Sequence, residues 1–190
     1  MAKVSNELKQ KLEELANAEL VKIVIKFANK NKEMLDILEH EYVNSESNDE
    51  LYEDLKDDLE FEMLNISSGR IIQKSLAKAI SYCINEINSF KKTTKSSYHE
   101  ALALQYLLNL ILDNYSDELE TCWTIFDSKV VSTAKRYFNA VLNLHEDYHI
   151  EFKSDFEKIL KTVKDKCRHF DSIYCLPKSF DEMKLKKIDK

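Results

Sequence analysis

The stretch SYHEALALQYLLNLILDNY, residues 97–115, decides the fold. Ser97 followed by Glu100 three positions later predicts a capping box, in which each side chain satisfies a free backbone N–H at a helix start. From Ala101 to Leu112 only Gln105 and Asn109 are polar, and these two lie on one narrow strip of the helix. A helix that is apolar around most of its circumference must be covered by neighbours on several sides. The stretch therefore predicts the inner helix of an all-helical domain.

Glycine and proline are almost absent from the chain, since Gly69 and Pro177 are the only ones in 190 residues. Sheet hairpins rely on glycine and on Asn-Gly or Asp-Gly pairs, and the sequence contains none of those pairs. Long uninterrupted helices explain this composition best. The hydrophobic fraction of 44% and the charged fraction of 33% are typical of a globular protein with a strongly charged surface.

Apolar residues recur at every third or fourth position along most of the chain, which predicts eight to ten helices joined by short connections. Ser5 is expected to cap the first helix, and Ser128 and Ser154 are expected to begin two later ones. We expect one all-α domain over residues 1–190, with residues 170–190 as a candidate for a loosely attached tail. Two arrangements fit: an irregular stack of antiparallel helical hairpins similar to HEAT repeats, and a compact multi-helix bundle. No sheet is expected.

Two long segments carry a resemblance to a known family. They are LKQKLEELANAELVKIVIKFANKNKEMLDIL, residues 8–38, and LAKAISYCINEINSFKKTTKSSYHEALALQYLLNLILDNY, residues 76–115. In helix pattern and order, residues 8–148 resemble a bacterial family of small all-helical proteins of unknown function. Residues 169–190 differ from the ending of that family. The resemblance implies an all-α fold and brings no activity or site residues with it.

Charge, apolar runs and cysteines limit the partners and the location. A net charge of −6 disfavours nucleic acid, because nucleic-acid binding needs clustered Lys and Arg. The first ten residues have no signal-peptide core, and no apolar run reaches membrane-spanning length. The widely spaced cysteines lack C-x-x-C spacing, which favours reduced thiols; they are Cys83, Cys122, Cys167 and Cys175. We therefore expect a cytoplasmic protein with no membrane partner.

The sharpest catalytic motif is His145–His149, which reads H-E-D-Y-H and matches H-E-x-x-H. On an α-helix, His145 and His149 would face the same side and bind zinc, while Glu146 would polarise a bound water. Three features disfavour such a zinc hydrolase: the charged Asp147 between the ligands, no H-x-x-G-x-x-H continuation, and no sheet edge to present a substrate. Glu146-x-x-His149 is also half of a di-iron signature, but it occurs only once.

Other catalytic patterns are missing from the sequence. A single glycine rules out a glycine-rich phosphate loop and a G-x-S-x-G nucleophile elbow. His40, His99 and His169 are isolated and are expected on the surface or at helix caps. Trp123 and its neighbouring aromatic residues line either a ligand pocket or the core, and their helical spacing favours the core. We predict no catalytic, cofactor-binding or metal-binding residues, and no cofactor.

Charge is distributed unevenly along the chain. Residues 46–62 hold nine acids and one Lys, a local charge of −8, whereas residues 153–190 hold eleven Lys or Arg and seven acids, a local charge of +4. This pattern indicates either two solvated helix faces, the more common situation, or a polarised surface that selects a basic partner or orients self-association.

By elimination, the sequence predicts a non-enzymatic helical protein that binds another protein, or itself, through a groove between helical hairpins. One alternative is a zinc-dependent hydrolase that uses His145, Glu146 and His149. Another is a helical-repeat nucleic-acid-binding protein, which would need a basic concave face.

Overall fold

The computed structural model describes residues 4–43, 47–66, 71–167, 173–174 and 176–182. By its internal contacts the chain divides into two compact units, Met1–Ser45 and Glu46–Lys190, which we name the N-terminal unit and the C-terminal unit. Every regular element of the described residues is helical, and they contain no strand. The predicted all-α class is thereby confirmed, and the single domain over residues 1–190 stays a prediction.

The N-terminal unit consists of three short helices: α1 (Asn6–Glu13), α2 (Asn17–Ala28) and α3 (Lys32–Tyr42). Ser5 caps α1 as predicted, because its Oγ accepts the backbone N–H of Leu8 at 3.3 Å. α2 packs against α3, but Ala28 is the one buried residue among the described residues of this unit. Five large apolar residues of α2 are about half exposed, namely Val21, Ile23, Val24, Ile25 and Phe27.

The C-terminal unit contains five longer helices: α4 (Asn48–Leu64), α5 (Ile72–Thr94), α6 (Ser97–Tyr115), α7 (Thr124–Asn143) and α8 (His149–Lys166). Two short 3₁₀ helices, Ser116–Glu118 and Glu146–Tyr148, precede α7 and α8. α6 packs against all four other helices of the unit. Since each hairpin of a helical stack touches only its neighbours in sequence, this packing fits the compact multi-helix bundle.

The core of the C-terminal unit forms around α6, as the sequence predicts. Leu104, Leu107 and Ile111 of α6 have no solvent exposure. Aromatic side chains of α7 and α8 fill the space beside them, and the ring centroids of Phe138 and Phe156 lie 4.3 Å apart. This layer of rings joins the last two helices to the inner helix.

Two predicted helix starts are wrong. Ser128 lies inside α7, and Ser154 lies inside α8. Serine costs only a fraction of a kcal/mol in a helix interior. The buried aromatic side chains on both sides, such as Phe152 and Phe156 around Ser154, hold the helix together through it.

Part of the predicted tail, residues 170–190, is described, and it contributes to the core. Ile173, Leu176 and Phe180 are buried, and the ring of Phe180 packs edge-on against Phe156 with centroids 5.0 Å apart. The remaining residues of that range lie outside the described part of the chain. Within the described part, none of the helices combines the length and the apolarity that a membrane crossing requires.

Candidate functional site

The start of α4 fixes which of its side chains share a face. Ser47 and Glu50 form a capping box: Ser47 Oγ accepts the Glu50 N–H at 3.2 Å, and Glu50 Oε2 accepts the Ser47 N–H at 2.7 Å. From this start, Asp54, Asp58 and Glu62 follow one another at intervals of four residues. Side chains four apart lie above one another on a helix, so three carboxylates form a row along α4.

The crevice between α4 and α5 receives this row of carboxylates. One end holds a cavity of about 190 Å³, lined by Asp54, Asp58 and Glu86 around Leu51, Leu55 and Phe90. The other end holds a cavity of about 380 Å³, whose lining includes Phe61, Glu62, Ile66 and Lys78. We name this crevice the acidic groove, with carboxylate walls formed by Asp54, Asp58, Glu62 and Glu86.

Tyr82 of α5 reports the electrostatic character of the groove. Its ring is 49% exposed. The negative charge of Glu86 is the main cause that raises the pKa of the Tyr82 phenol, followed by burial and by the charges of Asp58 and Glu62. Carboxylates of both helices therefore raise the pKa of one phenol, that of Tyr82.

The carboxylates of the acidic groove lack ion-pair partners among the described residues. Among the described residues, Lys78 is the one basic side chain that lines either cavity, at the end where Glu62 lies. Like charges at i,i+4 spacing destabilise a helix by about 0.2–0.5 kcal/mol per pair. The row of like charges on α4 therefore carries an electrostatic cost, and none of its members forms an ion pair with another described residue.

The basic region predicted over residues 153–190 has the opposite character. Lys153 pairs with Asp181 at 3.2 Å, Lys158 with Asp113 at 3.9 Å, and Lys166 with Asp117 at 3.7 Å. These pairs place acids of the same unit beside the lysines of α8. Half of the six described lysines in the basic region thus form ion pairs, whereas none of the four carboxylates of the acidic groove does so with a described residue.

The H-E-x-x-H residues do not share one helix. His145 lies before the 3₁₀ helix that holds Glu146, and its side chain is 73% exposed and 3.1 Å from the Asp147 carboxylate. His149 begins α8 and is buried, with its ring packed against Phe180. The zinc-hydrolase alternative therefore lacks the helical geometry on which it was based. The described residues also contain no group of three His, Cys, Asp or Glu side chains arranged to hold a metal ion.

His99 forms part of a helix cap, as predicted for an isolated histidine. Its Nδ1 lies 2.8 Å from Ser96 Oγ, and its Nε2 lies 2.8 Å from Asp49 Oδ1, which joins α6 to α4. Ser, His and Asp occur in the same order in hydrolase triads, where the carboxylate is buried. Here the Asp49 side chain is 88% exposed, and Ser96 Oγ already accepts the backbone N–H of His99 at 3.3 Å. The arrangement is that of a cap.

The capping box predicted at Ser97 is wrong by one residue. Ser96 is the N-cap of α6, and Glu100 turns inward, where it is 5% exposed. Glu100 pairs there with Lys91 of α5 and with Arg136 of α7. Periodicity within one helix does not predict this ion-pair cluster, because its three members lie on three different helices.

Several other predicted candidates occupy ordinary positions. Trp123 is 44% exposed at the start of α7, with Lys74 Nζ 5.6 Å from its ring centroid, so it belongs neither to the core nor to an enclosed pocket. His40 is half-buried on α3, and His169 lies outside the described residues. Glu86 is a groove residue that sequence reasoning missed, because it stands alone among uncharged neighbours on α5.

No family model, curated protein or solved structure matches the chain. The resemblance of residues 8–148 to a bacterial all-helical family stays a prediction.

Proposed function

We propose that the protein is a non-enzymatic helical binding protein whose acidic groove holds a basic segment of a partner protein. The single observation that carries the proposal is the row of unpaired carboxylates, Asp54, Asp58 and Glu62, with Glu86 facing it across an apolar floor. The sequence predicts a protein-binding groove between helical hairpins, and the acidic groove between α4 and α5 is our candidate for it.

The chemistry of the groove defines the partner segment. Asp54 to Glu62 covers about 12 Å along the axis of α4. A partner helix with Lys or Arg at every fourth position would place its charges at the same spacing, and apolar residues between them would reach Leu51, Leu55 and Phe90. An amphipathic helix laid into a groove is a common mode of peptide recognition. Electrostatic complementarity would supply the association rate and the selectivity.

The cysteines support a reducing location for this function. Cys83, Cys122 and Cys167 are all free thiols in the described part of the chain. We therefore propose the cytoplasm as the place where the protein meets its partner.

The proposal is tested with a fluorescently labelled peptide of alternating Lys and Leu turns, measured by fluorescence anisotropy. The groove variant Asp54→Asn/Asp58→Asn/Glu86→Gln removes three carboxylates. Since an exposed ion pair contributes about 0.2–1 kcal/mol, we expect about tenfold weaker binding and a shallower dependence on salt.

The matched control is Glu13→Gln/Asp57→Asn/Glu146→Gln, which changes the net charge equally at exposed residues outside the groove. We expect its affinity to stay within about twofold of the wild type. Equal weakening by both variants would reject the groove in favour of a general charge effect. Tighter binding to duplex DNA than to the peptide would favour the nucleic-acid alternative instead.

A further inference from the structure

A second crevice, between α5 and α7, has the opposite chemistry to the acidic groove. It holds a cavity of about 350 Å³, and none of the described residues that line it is acidic. Its lining consists of two cations, one amide and three hydroxyls above two isoleucines; the groups that the argument uses are Lys129, Arg136, Asn85, Ile80 and Ile84. A volume in this range suits a small molecule.

Arg136 is oriented by a hydrogen bond to a buried carboxylate that does not line the cavity. Its Nη2 donates to Oε1 of Glu100 at 2.7 Å, and Glu100 is almost fully buried. The guanidinium has five N–H donors in a rigid plane, and Glu100 is its one partner among the described residues. The other donors have no partner among the described residues, and Arg136 lines the cavity, so they remain available to a bound anion.

The cluster around Arg136 carries excess positive charge. Glu100 is a single carboxylate that pairs with two cations, Lys91 and Arg136. Lys129, two turns before Arg136 on α7, lines the same cavity without an ion-pair partner among the described residues. The buried carboxylate thus orients the cations and leaves a net positive charge at the crevice, which an anion would neutralise.

The three hydroxyl groups that line the crevice already donate hydrogen bonds to backbone carbonyl oxygens. Thr133 and Ser132 donate to the carbonyl oxygen of Lys129 at 2.8 and 2.9 Å, and Ser81 donates to that of Ala77 at 2.8 Å. Recognition of an anion would therefore rely on the charged side chains and on the amide of Asn85.

We propose that the α5–α7 crevice binds a small anion that carries phosphate or carboxylate groups, with Arg136 and Lys129 as its charge partners and Asn85 as an amide donor. This site shares no lining residue with the acidic groove. Anion binding in the crevice can therefore be tested independently of the proposed protein partner.

The experiment follows the methyl NMR signals of the full-length protein during titration with inorganic phosphate and, separately, with citrate, at constant ionic strength maintained by sodium chloride. Saturable shifts of the Ile80 and Ile84 methyl signals are expected, while the buried Ile159 of α8, which does not line the crevice, should stay unchanged. Saturation by phosphate alone or by citrate alone would support the proposal and identify the preferred anion.

Three variants assign the response to the crevice. Lys129→Ala should weaken binding about fivefold, whereas Lys135→Ala, an exposed neighbour outside the crevice, should change it less than twofold. Arg136→Lys keeps the charge and the pairing with Glu100 but loses the planar fork, and it should also weaken binding. The proposal would be overturned if the shifts were linear without saturation or if chloride alone caused equal shifts. Equal effects of Lys129→Ala and Lys135→Ala would overturn it as well.

Discussion

Arg136 of α7 donates a hydrogen bond of 2.7 Å to the buried carboxylate of Glu100 on α6. Lys91 of α5 pairs with the same carboxylate, so three helices of the C-terminal unit meet at one charge. A buried carboxylate is stable only when paired, because its transfer from water is costly. The pair therefore fixes how α5, α6 and α7 are arranged relative to one another.

Replacement of Arg136 by Met should lower the free energy of unfolding by about 2 kcal/mol, the usual worth of a hydrogen bond to a charged group. Glu100 would keep only Lys91 as a partner. The double variant Arg136→Met/Glu100→Gln should lose less than the sum of the single changes, because no buried charge is left with a missing partner. Urea unfolding followed by circular dichroism measures all three. Strictly additive losses would contradict the coupling.

The core of the C-terminal unit predicts a sharp contrast in stability between substitutions at two of its isoleucines. Ile87 of α5 packs in the core with no exposure, whereas Ile150 of α8 is 82% exposed. Ile87→Ala should cost about 3 kcal/mol of unfolding free energy, because the change leaves a cavity. Ile150→Ala should cost less than about 0.5 kcal/mol. Similar costs for the two substitutions, measured by urea unfolding, would be incompatible with this core.

The helical class and the inner helix could be predicted because both depend on local patterns. The apolar residues of 97–115 define a helix with those bounds, and burial on several sides follows from its composition. Exact starts were harder to predict. Ser96 and Ser97 are adjacent, and either side chain can cap a helix start. Glu100 forms ion pairs with Lys91 and Arg136 rather than accepting a backbone N–H.

The acidic groove could be predicted only in part. The surplus of acids over residues 46–62 is visible in the sequence, and it supplies three of the four carboxylate walls. Glu86 joins them only when α5 packs against α4, and pattern reading within one helix does not reveal that register. The crevice around Arg136 could not be predicted for the same reason. Its lining comes from α5 and α7, which are far apart in the chain, so it depends on how these helices pack.

The thiols should differ strongly in reactivity. Burial raises the pKa of Cys83 and of Cys167 to about 12, so both remain protonated near neutral pH, whereas Cys122 is exposed. Because the thiolate is the reactive form, iodoacetamide should label Cys122 in the folded protein and reach Cys83 and Cys167 only in denaturant. Peptide mass spectrometry locates the label. Equally fast labelling of Cys83 in the folded protein would contradict its burial.

The electrostatics of the acidic groove can be measured at Tyr82. Because the charge of Glu86 is the main cause of the raised pKa of this phenol, Glu86→Gln should lower that pKa and let Tyr82 ionise at lower pH. Glu146→Gln, outside the groove, should leave it unchanged. Ring ¹³C NMR of the assigned Tyr82 signal follows the titration. An identical pKa in the wild type and in Glu86→Gln would remove the evidence that the carboxylates act together.

The most direct test of the proposed function is to locate the bound basic peptide by methyl NMR. The peptide with alternating Lys and Leu turns is titrated into the full-length protein, and the methyl signals of Leu51, Leu55 and Ile66 report the groove. We predict saturable shifts at these residues that weaken about tenfold in Asp54→Asn/Asp58→Asn/Glu86→Gln. Saturable shifts confined to other surfaces, or no saturation at all, would contradict the binding of a basic partner in the acidic groove.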